Sequence, residues 1–219
     1  MGVGLNAQIV ATDTDTSRAG GRERGTAQRC SSALDERRSA RAIWAVMPTH
    51  LMESVNAVRI VSSLRRAGVE ATVGGGWAVD ALLCEQTRQH SDLDLWVAAD
   101  GLEALTKTFV GIGLDRLFPW GDDRPWNFVV HDGGELRVDL HFYEHLADGR
   151  VHYGSVRGGD VFDLACLRGH GTIDDTAVVC ESPEWALQCH TGYAPRSVDR
   201  DDVKHLCTTF GFRLPEAYR

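Results

Sequence analysis

Val73-Gly74-Gly75-Gly76-Trp77 sets a glycine turn ahead of an apolar stretch, and Ser91-Asp92-Leu93-Asp94-Leu95 follows shortly after. Glycine turns let backbone amides face a phosphate. Carboxylates hold magnesium. Asp92 and Asp94 are two apart on a strand, so their side chains leave one face, roughly 6.5–7 Å apart at the backbone. That spacing can bridge a pair of magnesium ions about 3.5–4 Å apart, as two-metal phosphoryl or nucleotidyl transfer requires. A third carboxylate lies in Leu136-Arg137-Val138-Asp139-Leu140-His141. Alternation puts Arg137, Asp139 and His141 on one face and the apolar residues on the other. If this strand lies beside 92–98, Asp139 faces the same metals, as a third ligand or as acceptor of the proton of an attacking hydroxyl. The joint pattern points to chemistry on a nucleoside triphosphate.

Other glycine-loop chemistries do not fit. Val79 stands where a dinucleotide fingerprint needs its last glycine, and no Gly-Lys-Ser/Thr follows to make a P-loop. His141-Phe142-Tyr143-Glu144-His145 spells the inverted zinc-protease signature H-x-x-E-H. A zinc hydrolase built on His141, Glu144 and His145 is therefore a minor alternative. It needs both histidines on one face of a helix, whereas the preceding alternation predicts a strand.

The elements that must carry these residues are readable. Leu51, Val55, Val58, Val61 and Leu64 recur at helical spacing, with Gly68 as a stop. A short strand over 69–73 runs into the glycines, and a helix over 77–84 follows. Strands are predicted over 92–98, 114–118, 126–131, 136–142 and 176–180, and a helix over 102–112. Asp132-Gly133-Gly134 and the segment 147–150 read as turns. Ser182 caps a helix with Pro183 at its first position. A last helix covers about 199–210, with Gly211 as its stop. Trp77, His190 and Tyr193 read as packing residues. The class is α+β: a small mixed sheet with flanking helices, then a helical C-terminal part from about residue 182.

Composition narrows the function. The 219 residues are 43% hydrophobic and 25% charged, ordinary for one globular domain, or one domain with a helical lobe. The net charge of -8 is uneven: residues 1–46 carry seven Arg and five acidic residues, leaving 16 basic and 26 acidic residues for the remainder. An acidic body argues against nonspecific nucleic-acid binding and suits a cationic small substrate. No apolar run is long enough for a membrane span. The N-terminus lacks the pattern of a signal peptide. None of the six cysteines forms a C-x-x-C pair, so a reducing, cytoplasmic location is expected. Residues 1–46, rich in Ser, Thr, Ala, Gly and Arg, read as a disordered tail, with Met47 or Met52 as an alternative start. Residues 47–219 are the expected domain.

Two stretches carry a family resemblance. Gly75-Gly76-Trp77-Ala78-Val79-Asp80-Ala81-Leu82-Leu83 with Thr87-Arg88-Gln89-His90-Ser91-Asp92-Leu93-Asp94 resembles the antibiotic branch of the nucleotidyltransferases, covering the lincosamide and aminoglycoside enzymes. Val138-Asp139-Leu140-His141, Asp148-Gly149, and His190-Thr191-Gly192-Tyr193 with Asp199, Asp202 and Leu206 look more like the lincosamide enzymes. The resemblance spans roughly residues 50–215. Cys84 departs from it, since the family usually has glycine there, and this bears on local helix geometry.

The resemblance implies a nucleotidyltransferase fold and transfer of AMP from ATP to a hydroxyl of a small antibiotic. A lincosamide is the first choice and an aminoglycoside the second, and pyrophosphate leaves. It implies two Mg2+ ions on Asp92, Asp94 and Asp139, with Asp139 as third ligand or general base. It implies that Gly75 and Gly76 admit the triphosphate, that Arg88 neutralises phosphate charge, and that His90 positions the phosphate or the metal ligands. In this branch a partner subunit can help form the site, so a homodimer is an expected arrangement. A nucleotidyltransferase acting on protein or RNA, as in toxin systems, is the alternative from another class.

Overall fold

The computed structural model describes residues 51–120 and 126–219. The readings of a disordered tail and an alternative start concern residues outside this range, apart from Met52, which is buried in the core.

The chain opens with helix α1 (Ser54–Arg66), whose apolar stripe buries Ala57, Ile60, Val61 and Leu64. It stops at Gly68, where the backbone turns left-handed (φ 72°). Strand β1 (Ala71–Gly74) leads straight into helix α2 (Gly75–Leu83). Thus the helix begins within the glycines, earlier than the apolar pattern suggested. Strand β2 (Leu93–Ala98), helix α3 (Leu102–Gly111), and strands β3 (Arg116–Pro119), β4 (Asn127–His131) and β5 (Arg137–His145) follow. Next come β6 (Arg150–Tyr153), β7 (Asp160–Asp163), β8 (Gly169–Ile173) and β9 (Thr176–Cys180). Helices α4 (Pro183–Thr191) and α5 (Ser197–Phe210) end the fold.

All nine strands of the described residues join one mixed sheet in the order β3-β4-β5-β2-β1-β9-β8, with β6 on β5 and β7 on β6. The sheet is larger than the small one expected. Strand β2 pairs parallel with β5 and antiparallel with β1, while β1 pairs parallel with β9. These central strands separate their two faces by alternation. Leu93, Leu95, Val97, Val138 and Leu140 face the main core with Ile60, Leu64, Leu105 and Phe109. Full burial of each such Leu or Ile stabilises by roughly 1.5–3 kcal/mol. The other face carries a smaller apolar cluster of Trp96, Ala98, Tyr143, Val151, Phe162 and Leu167. Toward the N-terminal ends of β2 and β5 this face turns polar, and there the carboxylates sit.

Helix α2 lies against β8. Gly171 permits that approach, since a Cβ there would run into the Ala81 carbonyl. The far side of α2 packs on α4 and α5 through Val79, Ala186 and Leu206. The expected cap is present: Ser182 Oγ accepts the Trp185 N–H at 3.2 Å. The H-x-x-E-H stretch is strand throughout. His141 and His145 are therefore about 13 Å apart along the backbone, and Glu144 leaves the opposite face. This corrects the zinc-hydrolase alternative: the three side chains cannot share one ion.

Candidate active site

The site is built at one row of strand ends. In the sheet register Asp94 of β2 stands beside Asp139 of β5, and Gly74 of β1 stands on the other side of Asp94. Asp92 precedes β2 on the same face by alternation. Three carboxylates from two chain segments thus converge beside the glycine turn.

Their charges are held by cations of the chain. Arg137 forms a two-pronged bond to Asp139, Nε to Oδ1 at 2.9 Å and Nη2 to Oδ2 at 3.0 Å, and lies 3.9 Å from Asp92. The Trp120 ring lies on this guanidinium at 5.3 Å. His141 Nε2 is 3.1 Å from Asp94 Oδ1. The other ring nitrogen is 3.2 Å from both Asn127 Nδ2 and Tyr153 Oη. Desolvation, with the Asp94 charge, raises Asp92 above the usual carboxylate range against the pull of Arg137. Desolvation also pushes Asp139 up to about 7, the Arg137 bond opposing and the Asp94 charge adding to the rise. Asp94 goes the other way: desolvation disfavours its charge, but the His141 bond and charge prevail and hold it low.

The glycines are fixed by what presses on them. Gly75 is left-handed (φ 58°), and a Cβ there would fall on the Asp94 carboxylate. A Cβ on Gly76 would fall on the Arg88 guanidinium and lie 2.6 Å from the His90 ring. Hence Gly75, Gly76, Asp94, Arg88 and His90 form one packed unit. The first turn of α2 has Gly74 as its N-cap, with no side-chain cap among the described residues. Its backbone N–H groups are left for another acceptor.

Arg88 and His90 are placed beneath the turn. Arg88 Nε bonds both Asp202 oxygens at 3.1 Å and Nη2 adds a 2.9 Å bond. His90 is 4% exposed, and its Nε2 lies 2.5 Å from Asp80 Oδ2. Asp80 also accepts the Thr87 N–H at 3.0 Å and its hydroxyl at 2.7 Å. Asp80 therefore ties the 87–90 segment to α2. His190, buried as expected, lies 3.6 Å from Asp202 and links α4 to the same network. The Asp202 carboxyl is held low: desolvation disfavours its charge, but the His190 and Arg88 bonds outweigh that.

Sequence reasoning passed over Arg137 as a site residue and took up His141 only for the zinc alternative, although alternation had already set both beside Asp139. It also passed over Trp96, which leaves β2 on the Asp94 face, and Glu181, which has no motif around it. Glu181 is 2% exposed. Its Oε1 accepts the Trp96 indole N–H at 2.7 Å, and Oε2 has no partner among the described residues. Burial lifts this carboxyl to about 7, the Trp96 bond opposing and the Asp94 charge assisting.

The family model of aminoglycoside-2''-adenylyltransferase matches residues 56–206. The chain belongs to the aminoglycoside-2''-adenylyltransferase family. Like the proteins of that family, it is a nucleotidyltransferase. The matched span of this adenylyltransferase-family chain holds the glycine turn, all three carboxylates and Asp202. It is 27% identical over 132 residues to a lincosamide resistance protein of Staphylococcus haemolyticus, covering 60% of this chain and 80% of that one. The fold is shared with the lincomycin-bound lincosamide adenylyltransferase LnuA, at TM-score 0.62 and 24% identity, over 71% of this chain and 97% of that one. It is also shared with ANT(2'')-Ia in complex with adenylyl-2''-tobramycin, at TM-score 0.58 and 21% identity, over 72% and 89%.

Among the described residues no group of three His, Cys, Asp or Glu surrounds one point as a preformed metal cage. The donor set nonetheless suits a hard divalent cation: carboxylate oxygens in neighbouring register, gathered about the charge of Arg137. Asp92 and Asp139 are both raised, in part by Asp94. A cation that joined the cluster would relieve that repulsion. No helix of the described residues is long and apolar enough to cross a membrane.

Proposed function

We propose that this chain transfers AMP from ATP to a hydroxyl of a small cationic antibiotic, a lincosamide first, and releases pyrophosphate. The observation that carries this reading is the pairing of Asp94 with Asp139 beside the Gly75–Gly76 turn. Asp92, Asp94 and Asp139 would hold Mg2+, which would neutralise the triphosphate and polarise the α-phosphorus. The uncapped N-terminus of α2 offers backbone N–H groups to phosphate oxygens. Arg88 and His90 hold that turn in shape, and Arg88 keeps positive charge behind it. The acceptor oxygen bonds to the α-phosphorus as the bond to the β-phosphate oxygen breaks. Asp139, beside Asp94 in the sheet register, is suited to take the hydroxyl proton as general base or to serve as third metal ligand. Positioning and charge neutralisation supply most of the acceleration.

The lincosamide reading is supported by the Staphylococcus haemolyticus relative. The family model favours the second reading, an aminoglycoside acceptor. The acidic body attracts either class of cation. Residues 47–219 are the proposed catalytic domain, its helical C-terminal part closing on the turn through Asp202. Pyrophosphate release with ATP and Mg2+ against both drug classes, with product mass, tests the proposal. An AMP-sized gain on a lincosamide is expected. A gain confined to aminoglycosides moves the acceptor. No gain on either, from protein that binds Mg2+ and ATP, removes the antibiotic reading.

A further inference from the structure

The row of strand ends does not stop at Gly74. Cys180 of β9 pairs in parallel register with Val73, and the Glu181 N–H donates to the Val73 carbonyl at 3.0 Å. Asp139, Asp94, Gly74 and Glu181 therefore stand side by side across four adjacent strands. Gly74 contributes no side chain, and the gap is used. A Cβ on Gly74 would lie 2.9 Å from Trp96 Nε1 and 3.2 Å from Glu181 Oε1. Through that gap the indole N–H reaches the Glu181 carboxyl at 2.7 Å.

The indole links this carboxyl to the site. One face of Trp96 stacks on His141, with centroids 4.8 Å apart at 29°. Tyr153 and Phe162 meet it edge-on at 4.8 and 5.9 Å. His141 in turn bonds Asp94. Glu181 thus reaches a proposed metal ligand through two intervening residues, Trp96 and His141, without touching it. An apolar residue would fill the same volume but strand the buried indole N–H. A carboxyl with one oxygen unmatched is costly to bury. Only Glu or Gln reaches the indole at this length as an acceptor.

We propose that Glu181 is a positioning residue of the transfer site: it locks the Trp96 indole against His141 and so fixes the orientation of Asp94. The inference rests on the reading of Asp94 as a metal ligand for its effect on turnover, and on geometry alone for its effect on His141.

The test compares Glu181→Met, Glu181→Gln and Trp96→Phe in the full chain. Proton NMR of metal-free protein follows the Trp96 indole N–H, assigned by its loss in Trp96→Phe, and the His141 ring protons, assigned with His141→Asn. Glu181→Met should shift the indole proton and the His141 ring signals, and Glu181→Gln should leave both near wild type. In turnover, Glu181→Met should lower kcat about tenfold with KM for both substrates within about twofold, and Glu181→Gln should recover most of kcat. Unmoved His141 signals in folded Glu181→Met, or a Gln variant no better than Met, would overturn the proposal. If Glu181→Met does not fold, Trp96→Phe asks the same question from the other end, with the same His141 shift and kcat loss expected and their absence decisive. If wild-type protein transfers no AMP, the functional reading fails, and the NMR arm still decides whether Glu181 positions His141.

Discussion

Asp92 and Asp94 are the side chains on which the proposed chemistry depends most. Asp92→Asn and Asp94→Asn keep volume and most hydrogen bonds while removing charge. Each should lower turnover by at least about 10²–10³-fold while leaving circular dichroism and cooperative melting intact. Retained turnover in both would remove the metal-ligand assignment. Glu181 makes a separate prediction, on stability. Its carboxyl stands at about 7 in the folded protein, against about 4.3 in the unfolded chain. The folded state keeps a proton that the unfolded state has released. That contribution is complete below the unfolded value and is lost as pH rises through about 7. The difference is on the order of 4 kcal/mol. Glu181→Gln lacks this titration, so its Tm should match wild type near pH 4.5 and exceed it at pH 8. An offset that does not vary with pH would mean that Glu181 does not titrate in this window. The three aspartates were legible in the sequence because they sit in alternating strands beside glycines. Glu181 was not, because its importance comes from a gap at Gly74 that only the sheet register reveals.

Single elements show where local sequence suffices and where it fails. β9, the Ser182 cap and the Gly211 stop, left-handed at φ 73°, follow from alternation and capping chemistry. Strands β6, β7 and β8 escaped. β8 reads Gly-His-Gly-Thr-Ile, without an apolar stripe; Gly171 admits α2, and Gly169 admits the backbone of Cys180 and Glu181. Three of the four β7 residues are exposed, so no pattern marks it. Cys84 is the reverse case. Its departure from the expected glycine pointed to helix geometry, and it ends α2 in the left-handed conformation at φ 54°. Cys84→Gly should relieve about 1 kcal/mol and raise Tm by about 2–4 °C at unchanged turnover. Gly75→Ala should do the opposite. It meets Asp94 at a positive φ, so thermal stability and turnover should fall together. A fully active Gly75→Ala enzyme would show that the turn is not held in this shape.

At the scale of the molecule, the site draws on segments far apart in the chain. Asp94 and Asp139 meet only after α3, β3 and β4 have been accommodated between them, a closure that costs entropy before any contact repays it. Whatever binds the finished site but not the unfolded chain should stabilise the protein. Mg2+ with ATP at about 100 times Kd should add roughly 2.7 kcal/mol, read as a rise in Tm larger than for either alone. No rise at saturating concentrations would argue against a nucleotide site. The parallel pairing of β2 with β5 also has a consequence for quality control. Side chains change face at every residue, so a slip of β5 by one position would turn Arg137, Asp139 and His141 into the main core and offer Val138 and Leu140 to the substrate. Such a molecule would lose its core and its catalyst together. A β5 register error thus leaves no half-working molecule, and catalytic activity per milligram reports how many chains have registered correctly.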